Sequence, residues 1–167
     1  MRNLSRILHF LTVPMVLLAV ALPVRADWFF AHGNAATVQE DAVANCVSIA
    51  HLGWGLDLKL MHGKTAWIQF PIPTVALENR SLRAIQLVFD MVESSNALIV
   101  EADLWDGGVF LKAIKGTWTG RWKTVTLNLD TKIKLYRGLN ISVLLKNASK
   151  AKDLRIVLQS VGAQITN

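Results

Sequence analysis

Apolar and polar residues alternate with period two along most of this chain. In "WGLDLKL", Leu56, Leu58 and Leu60 share one side, and Asp57 and Lys59 the other. "IQLVFDM" aligns Ile85, Leu87, Phe89 and Met91. "IVEADLW" turns Val100, Ala102 and Leu104 inward and leaves Ile99, Glu101, Asp103 and Trp105 on the other face. "WKTVTLNLD" aligns Val125, Leu127 and Leu129; "NISVLLK" aligns Ile141, Val143 and Leu145. Successive side chains of a strand point to opposite faces, so these runs are strands with one buried face. "LRIVLQSVGAQI" starts in one phase (Leu154, Ile156, Leu158) and ends in the other (Val161, Ala163, Ile165). A one-residue phase shift predicts a β-bulge, with Gly162 close by.

Turn signals separate the runs. Asp106-Gly107-Gly108 predicts a hairpin turn between "ADLW" and "VFLKAI". His62-Gly63-Lys64, Glu78-Asn79-Arg80 and Ser94-Ser95-Asn96 are further turns. No segment keeps a helical period over three turns, and "LRAIQLVFDMV" is too rich in alternating β-formers to be one. Strands with one apolar face must stack as two sheets or close a barrel. The expected fold is an all-β, antiparallel β-sandwich of about nine strands, jelly-roll-like, with a closed barrel as the alternative. "WIQFPIPT" ends its strand with Pro71 and Pro73, which cannot donate to a ladder, so pairing is expected to stop there in a stiff, extended exit.

The N-terminus changes the picture of size and location. Arg2 and Arg6 precede an apolar run from Ile7 to Val24, and Val24-Arg25-Ala26 fits a signal-peptidase cut. Residues 1–26 are read as a signal peptide and 27–167 as a single domain of 141 residues. The expected location is exported, periplasmic or extracellular. One cysteine, Cys46, excludes an internal disulfide and is read as a small buried hydrophobe. The full chain carries a net charge of +6, but the domain is uneven: residues 27–105 hold 4 basic and 9 acidic residues, and 106–167 hold 11 and 3. Such a split makes one charged face only if the halves do not interleave in the sheets.

"WFFAHGN", "GWG", "WIQFPIPT", "LWDG" and "GLNISV" occur in that order between Trp28 and Val143. The set resembles a family of small bacterial β-sandwich proteins, a domain of unknown function. That family has a Trp-x-His-Gly-Asn start, a Phe-Pro-Ile-Pro-Thr centre and a Gly-Leu-x-Ile-Ser-Val strand. The chain departs from it at Gln69, Val75 and Trp105, where His, Pro and Tyr stand in the family. The resemblance implies the sandwich and brings no activity and no site residues.

Candidate chemistry lies in two places. Glu101, Asp103 and Trp105 share one strand face; carboxylates at i and i+2 are roughly 7 Å apart along the backbone, a spacing that serves sugar hydroxyls, a cation or glycoside hydrolysis. "GTWTGRWKT" holds Trp118, in an expected loop, with Arg121; Trp122, which leads the next strand, is expected in the core. An indole on a rigid loop suits stacking on a sugar ring, and Arg supplies polar contacts. The ligand-binding set is therefore Trp118, Trp105, Glu101, Asp103 and Arg121, with no catalytic residue. His32, His51 and His62 lack compact metal-ligand spacing, so no metal and no cofactor are expected, and His32-Gly33-Asn34 reads as a turn. No nucleophile elbow, phosphate loop or Cys/His dyad is present, and the three Asn-x-Ser sites of the domain, at Asn79, Asn140 and Asn147, are read as chance matches.

The functional expectation is an exported, non-catalytic sandwich that binds carbohydrate or cell-envelope polysaccharide. The alternatives are a protein-contact or structural module of the envelope, and a glycoside hydrolase using Glu101 and Asp103. The expected partner is a polysaccharide or another envelope protein, not nucleic acid, with the membrane met only through the signal segment.

Overall fold

A computed structural model describes residues 26–73, 80–92 and 95–166. The signal segment up to Arg25, Val75, Glu78-Asn79 and Ser94 lie outside the described residues. The elements run β1 (Ala26–His32), a 3-10 turn (Gly33–Ala35), β2 (Thr37–Val38), the one-turn helix α1 (Glu40–Val43), β3 (Cys46–Leu52), β4 (Gly55–Leu60) and β5 (Thr65–Pro71). They continue with β6 (Arg80–Met91), β7 (Ala97–Asp106), β8 (Val109–Trp118), β9 (Lys123–Leu135), β10 (Leu139–Asn147) and β11 (Leu154–Thr166). One sheet has the order β3-β4-β11-β6-β9, with β1 also on β11; the other has β2-β5-β10-β7-β8. All pairings are antiparallel, and from β4 to β11 the chain crosses between sheets at nearly every connection. This is the expected sandwich, and neither sheet closes into a barrel. Among the described residues it has eleven strands rather than about nine, because β1 and β3 lack clean alternation and β2 is two residues long.

The alternating residues meet between the sheets. Leu56, Leu58, Leu60, Ile68, Phe70, Ile85, Phe89, Ile141, Val143 and Leu145 are all fully buried. Both phases of β11 are buried too, and its ladder with β6 shifts between Leu158 and Ser160, where the bulge is expected. β11 pairs β6 along one edge. Its other edge is shared: β4 covers Leu154–Leu158 and β1 covers Ser160–Thr166. The glycines of "HGN" and "GWG" sit at that junction. A Cβ on Gly33 would lie 1.9 Å from the Leu158 carbonyl oxygen, and one on Gly55, whose φ is +150°, 2.5 Å from the same atom.

Several expectations are corrected. Ile99 faces the core, because the β7–β10 register shifts between Leu144 and Leu145 and reverses the phase before Glu101. Trp118 is no loop residue. It ends β8 opposite Ile99 and packs on the core, and Gly116 is bare so that the indole can lie over it (an added Cβ would sit 2.3 Å from the ring). Trp122 is no core residue: it is 66% exposed with φ +51°. The ladder of β5 does end at Pro71, as expected, with one further bond beyond it. Pro71 stays in register with Asn140, and the Ile72 N–H donates to the Leu139 carbonyl at 2.9 Å. Alternation aims the nitrogens of residues 71 and 73 at the other edge, where β2 ends opposite Gln69, so no donor is missed.

The acidic and basic halves interleave in both sheets, with β10 between β5 and β7 and β11 between β4 and β6. Cys46 is half-buried against the core, and burial pushes its thiol up. His32 closes the Gly33–Ala35 turn by accepting from the Asn34 N–H. Asn147 is fully buried, bonding to the carbonyls of Leu60 and Lys152, which puts its Asn-x-Ser site out of reach. Asp106 closes the far end of the sandwich. It accepts from the N–H groups of Tyr136, Arg137 and Gly138 at 2.7, 2.7 and 2.8 Å. Burial pushes this carboxyl up, but those three donors and the Arg137 charge outweigh it and hold it below the usual carboxylate range.

Two outcomes follow. Gly55→Ala destabilises the domain by about 2 kcal/mol or more in chemical denaturation, since it combines an unfavourable φ with a backbone clash. Asp106→Asn costs about 2 kcal/mol at neutral pH, because one carboxamide oxygen cannot serve three donors. A depressed folded pKa gives stability that is present above the ordinary carboxyl value and lost as pH falls through the depressed one. The gap between Asp106→Asn and the parent protein therefore narrows in that acid range.

Candidate functional site

The outward residues of the five-stranded sheet form the site. In β5, Ala66, Ile68 and Phe70 go into the core, which leaves Trp67 and Gln69 outside. In β10, the same alternation puts Asn140, Ser142 and Leu144 outside, and in β7 Glu101, Asp103 and Trp105. Register aligns these into rows across the sheet: Gln69–Ser142–Asp103, Trp67–Leu144–Glu101 and Pro71–Asn140–Trp105. On β8, Ala113 stands opposite Asp103, Lys115 opposite Glu101 and Phe110 opposite Trp105. The segment from β2 into α1 forms a wall, held by the Gln39 N–H on the Trp67 carbonyl at 3.0 Å. The resulting cleft of about 300 Å³ is lined by Gln39, Asp41, Trp67, Gln69, Asp103, Trp105 and Ser142.

Its polar floor is pre-organised. Gln69 Oε1 accepts from Asn140 Nδ2 and from Ser142 Oγ, both at 2.6 Å. This fixes the amide orientation and leaves the Gln69 Nε2 donors to the cleft. The Trp105 indole meets the Phe110 ring edge-on, with centroids 5.1 Å apart, so its position is set by packing. Asp103 Oδ1 is buried and has no hydrogen-bond partner, an uncompensated acceptor in the middle of the cleft. Burial is the main reason that the Asp103 carboxyl is pushed up; the Glu101 charge and a hydrogen bond with the Glu101 carboxyl add to it, and Lys115 opposes.

Of the five residues singled out from sequence, the structure brings Glu101, Asp103 and Trp105 together. Trp118 is turned into the sandwich. Arg121 lies elsewhere, in the β8–β9 loop, where its Nε donates to Asp90 Oδ1 at 2.6 Å on the outer side of the six-stranded sheet. Trp67, Gln69, Asn140 and Ser142 were missed. The alternation of Trp67 and Gln69 with Ile68 and Phe70 was visible, but that β10 lies between β5 and β7 was not. Among the described residues, no three His, Cys, Asp or Glu side chains converge to hold a metal ion, and no helix is long and apolar enough to cross a membrane.

The raised Asp103 pKa has a testable sign. Between the ordinary carboxyl value and the raised one, the folded state keeps a proton that the unfolded state has lost. Stability therefore falls as pH rises through this window. Thermal unfolding across it shows that fall in the parent protein and a flatter profile in Asp103→Asn.

No family model and no curated protein sequence matches this chain. Among solved structures, it is similar to a low affinity xylan binding module, CBM86, from Roseburia intestinalis, with a TM-score of 0.51 and 12% identity over 83% of this chain and 96% of that one. It is also similar to a family 29 carbohydrate binding module, with a TM-score of 0.49 and 10% identity over 84% and 90% of the two chains. At such identities the first likeness speaks for the sandwich fold, and the second carries no weight of its own.

Proposed function

We propose that this protein is a non-catalytic carbohydrate-binding β-sandwich, exported to the periplasm or beyond, that holds a neutral polysaccharide on the outer face of its five-stranded sheet. The observation that carries this reading is the cleft itself. Two indoles, Trp67 and Trp105, stand at its two sides, and a hydrogen-bonded strip of Gln69, Asn140 and Ser142, with the Asp103 carboxyl beside it, lies between them. Indole faces take the C–H faces of sugar rings, while a fixed row of donors and acceptors takes the hydroxyls. The lone acceptor on Asp103 suits a hydroxyl donor. The described lining of the cleft holds two carboxyls, Asp41 and Asp103, and no basic side chain, which disfavours uronic acids, phosphates and nucleic acid. The sandwich shared with a xylan-binding module supports the same class of ligand, as the signal segment 1–26 supports export. Membership of the bacterial family that the "HGN" and "FPIPT" motifs resemble is part of this proposal.

The test is calorimetric titration of residues 27–167 with xylohexaose, cellohexaose and mannohexaose. At least one gives saturable binding at this cleft, and Trp67→Ala or Trp105→Ala each weaken that site about tenfold or more, the loss of a central aromatic contact. Prolonged incubation releases no shorter sugars. Absence of binding by all three, or unchanged isotherms in both variants, contradicts the proposal.

A further inference from the structure

The opposite face of the sandwich carries a second groove, of about 370 Å³, lined by Trp54, Asp90, Val92, Arg121, Trp122, Arg155 and Val157. Its floor is the outer side of the six-stranded sheet. Val157 pairs with Asp57 on one flank and Asp90 on the other, all alternating with core residues. Two indoles rise from this floor: Trp54, 44% exposed, from the β3–β4 turn, and Trp122, 66% exposed, from the β8–β9 loop. Between them run two carboxylate–guanidinium pairs. Arg155 Nε and Nη2 grip Asp57 at 3.0 and 2.6 Å, and the guanidinium also lies 5.9 Å from the Trp54 ring centroid. Arg121 holds Asp90 and also donates to the Val92 carbonyl at 3.1 Å.

Trp122 is the informative residue. A bulky side chain at positive φ is strained, and an exposed indole recovers little of that strain by burial. The conformation is enforced, since the Trp122 N–H donates to the buried carboxylate of Asp90 at 3.2 Å. Glycine or asparagine would close the same loop at lower cost. Closing the loop thus does not call for an indole at this position.

We infer that this groove is a second carbohydrate site, taking a neutral sugar between Trp54 and Trp122, so that the protein is bivalent and bridges two glycan chains. The ligand class follows from charge. Each guanidinium is matched by a carboxylate within hydrogen-bond distance, so the floor offers donors and acceptors side by side with little net charge. That pattern fits hydroxyls, which both donate and accept, better than anions. The inference rests on the carbohydrate-binding reading but on different residues.

The experiment is the stoichiometry of calorimetric titrations with the same three hexasaccharides at low and raised salt. Residues 27–167 bind two equivalents of at least one sugar. Trp105→Ala and Trp122→Gly each bind one, and the double variant binds none. Trp122→Gly relieves the positive φ, so its thermal stability stays equal or rises, which separates loss of the site from loss of the fold. One equivalent that disappears with Trp105→Ala overturns the second site and leaves the first intact. Two equivalents unaffected by Trp122→Gly overturn its placement. Binding at this groove that collapses at raised salt overturns the neutral-sugar assignment, and no binding at all sinks both readings.

Discussion

Two strands share one edge of β11, and the rest of the sandwich depends on how they meet. β4 and β1 lie end to end along that edge, and where they abut the strand bulges between Leu158 and Ser160. The bulge lets both halves of β11 bury their apolar side although the phase of the sequence reverses. It also aims the Leu158 carbonyl at the place where the chain leaves β1 and enters β4, and only residues without a Cβ fit there. Gly33 and Gly55 are therefore fixed by the same oxygen atom. The short motifs around them, "HGN" and "GWG", are explained as packing rather than chemistry. Trp54, between Gly53 and Gly55, is then held at the tip of a turn that cannot shift, which is why it serves as a groove wall.

The winding of the chain has the complementary effect on the other sheet. Because successive strands cross between layers, β10 enters between β5 and β7 and joins outward residues that are distant in sequence. Gln69, Ser142 and Asp103 become one row in this way. Asp106 fastens the end of that arrangement by holding the β9–β10 turn against the end of β7. The strip beside it is rigid before any ligand arrives, and a pre-ordered site loses less on binding than a floppy one.

Periodicity read the inside of this protein well because burial alternates residue by residue. Leu56, Leu58 and Leu60, the inward side of β10 and the phase change in β11 all obey it. It failed at Ile99, where a second bulge without any glycine reverses the phase. It failed at Trp118, expected in a loop, and at Trp122, expected in the core because it leads the next strand. Gly116 is space for an indole, whereas Trp122 takes the positive φ that a glycine ordinarily would. The two prolines were read as the end of pairing, and the ladder of β5 does end at Pro71, with only the Ile72 N–H bonding beyond it. Of the site, Glu101, Asp103 and Trp105 were legible because they share one strand. Trp67, Gln69, Asn140 and Ser142 join them through strand order, which no local pattern carries.

The central claim is that ligand lies across β5, β10 and β7, and the six indole N–H signals of the protein report on it directly. A two-dimensional NMR titration with xylohexaose, cellohexaose or mannohexaose, each indole assigned by substitution, follows Trp67 and Trp105 separately from Trp118. The account predicts that Trp67 and Trp105 shift together along one saturable curve while Trp118, packed on the core, stays still. Shifts at Trp118 with Trp67 and Trp105 unmoved would contradict it.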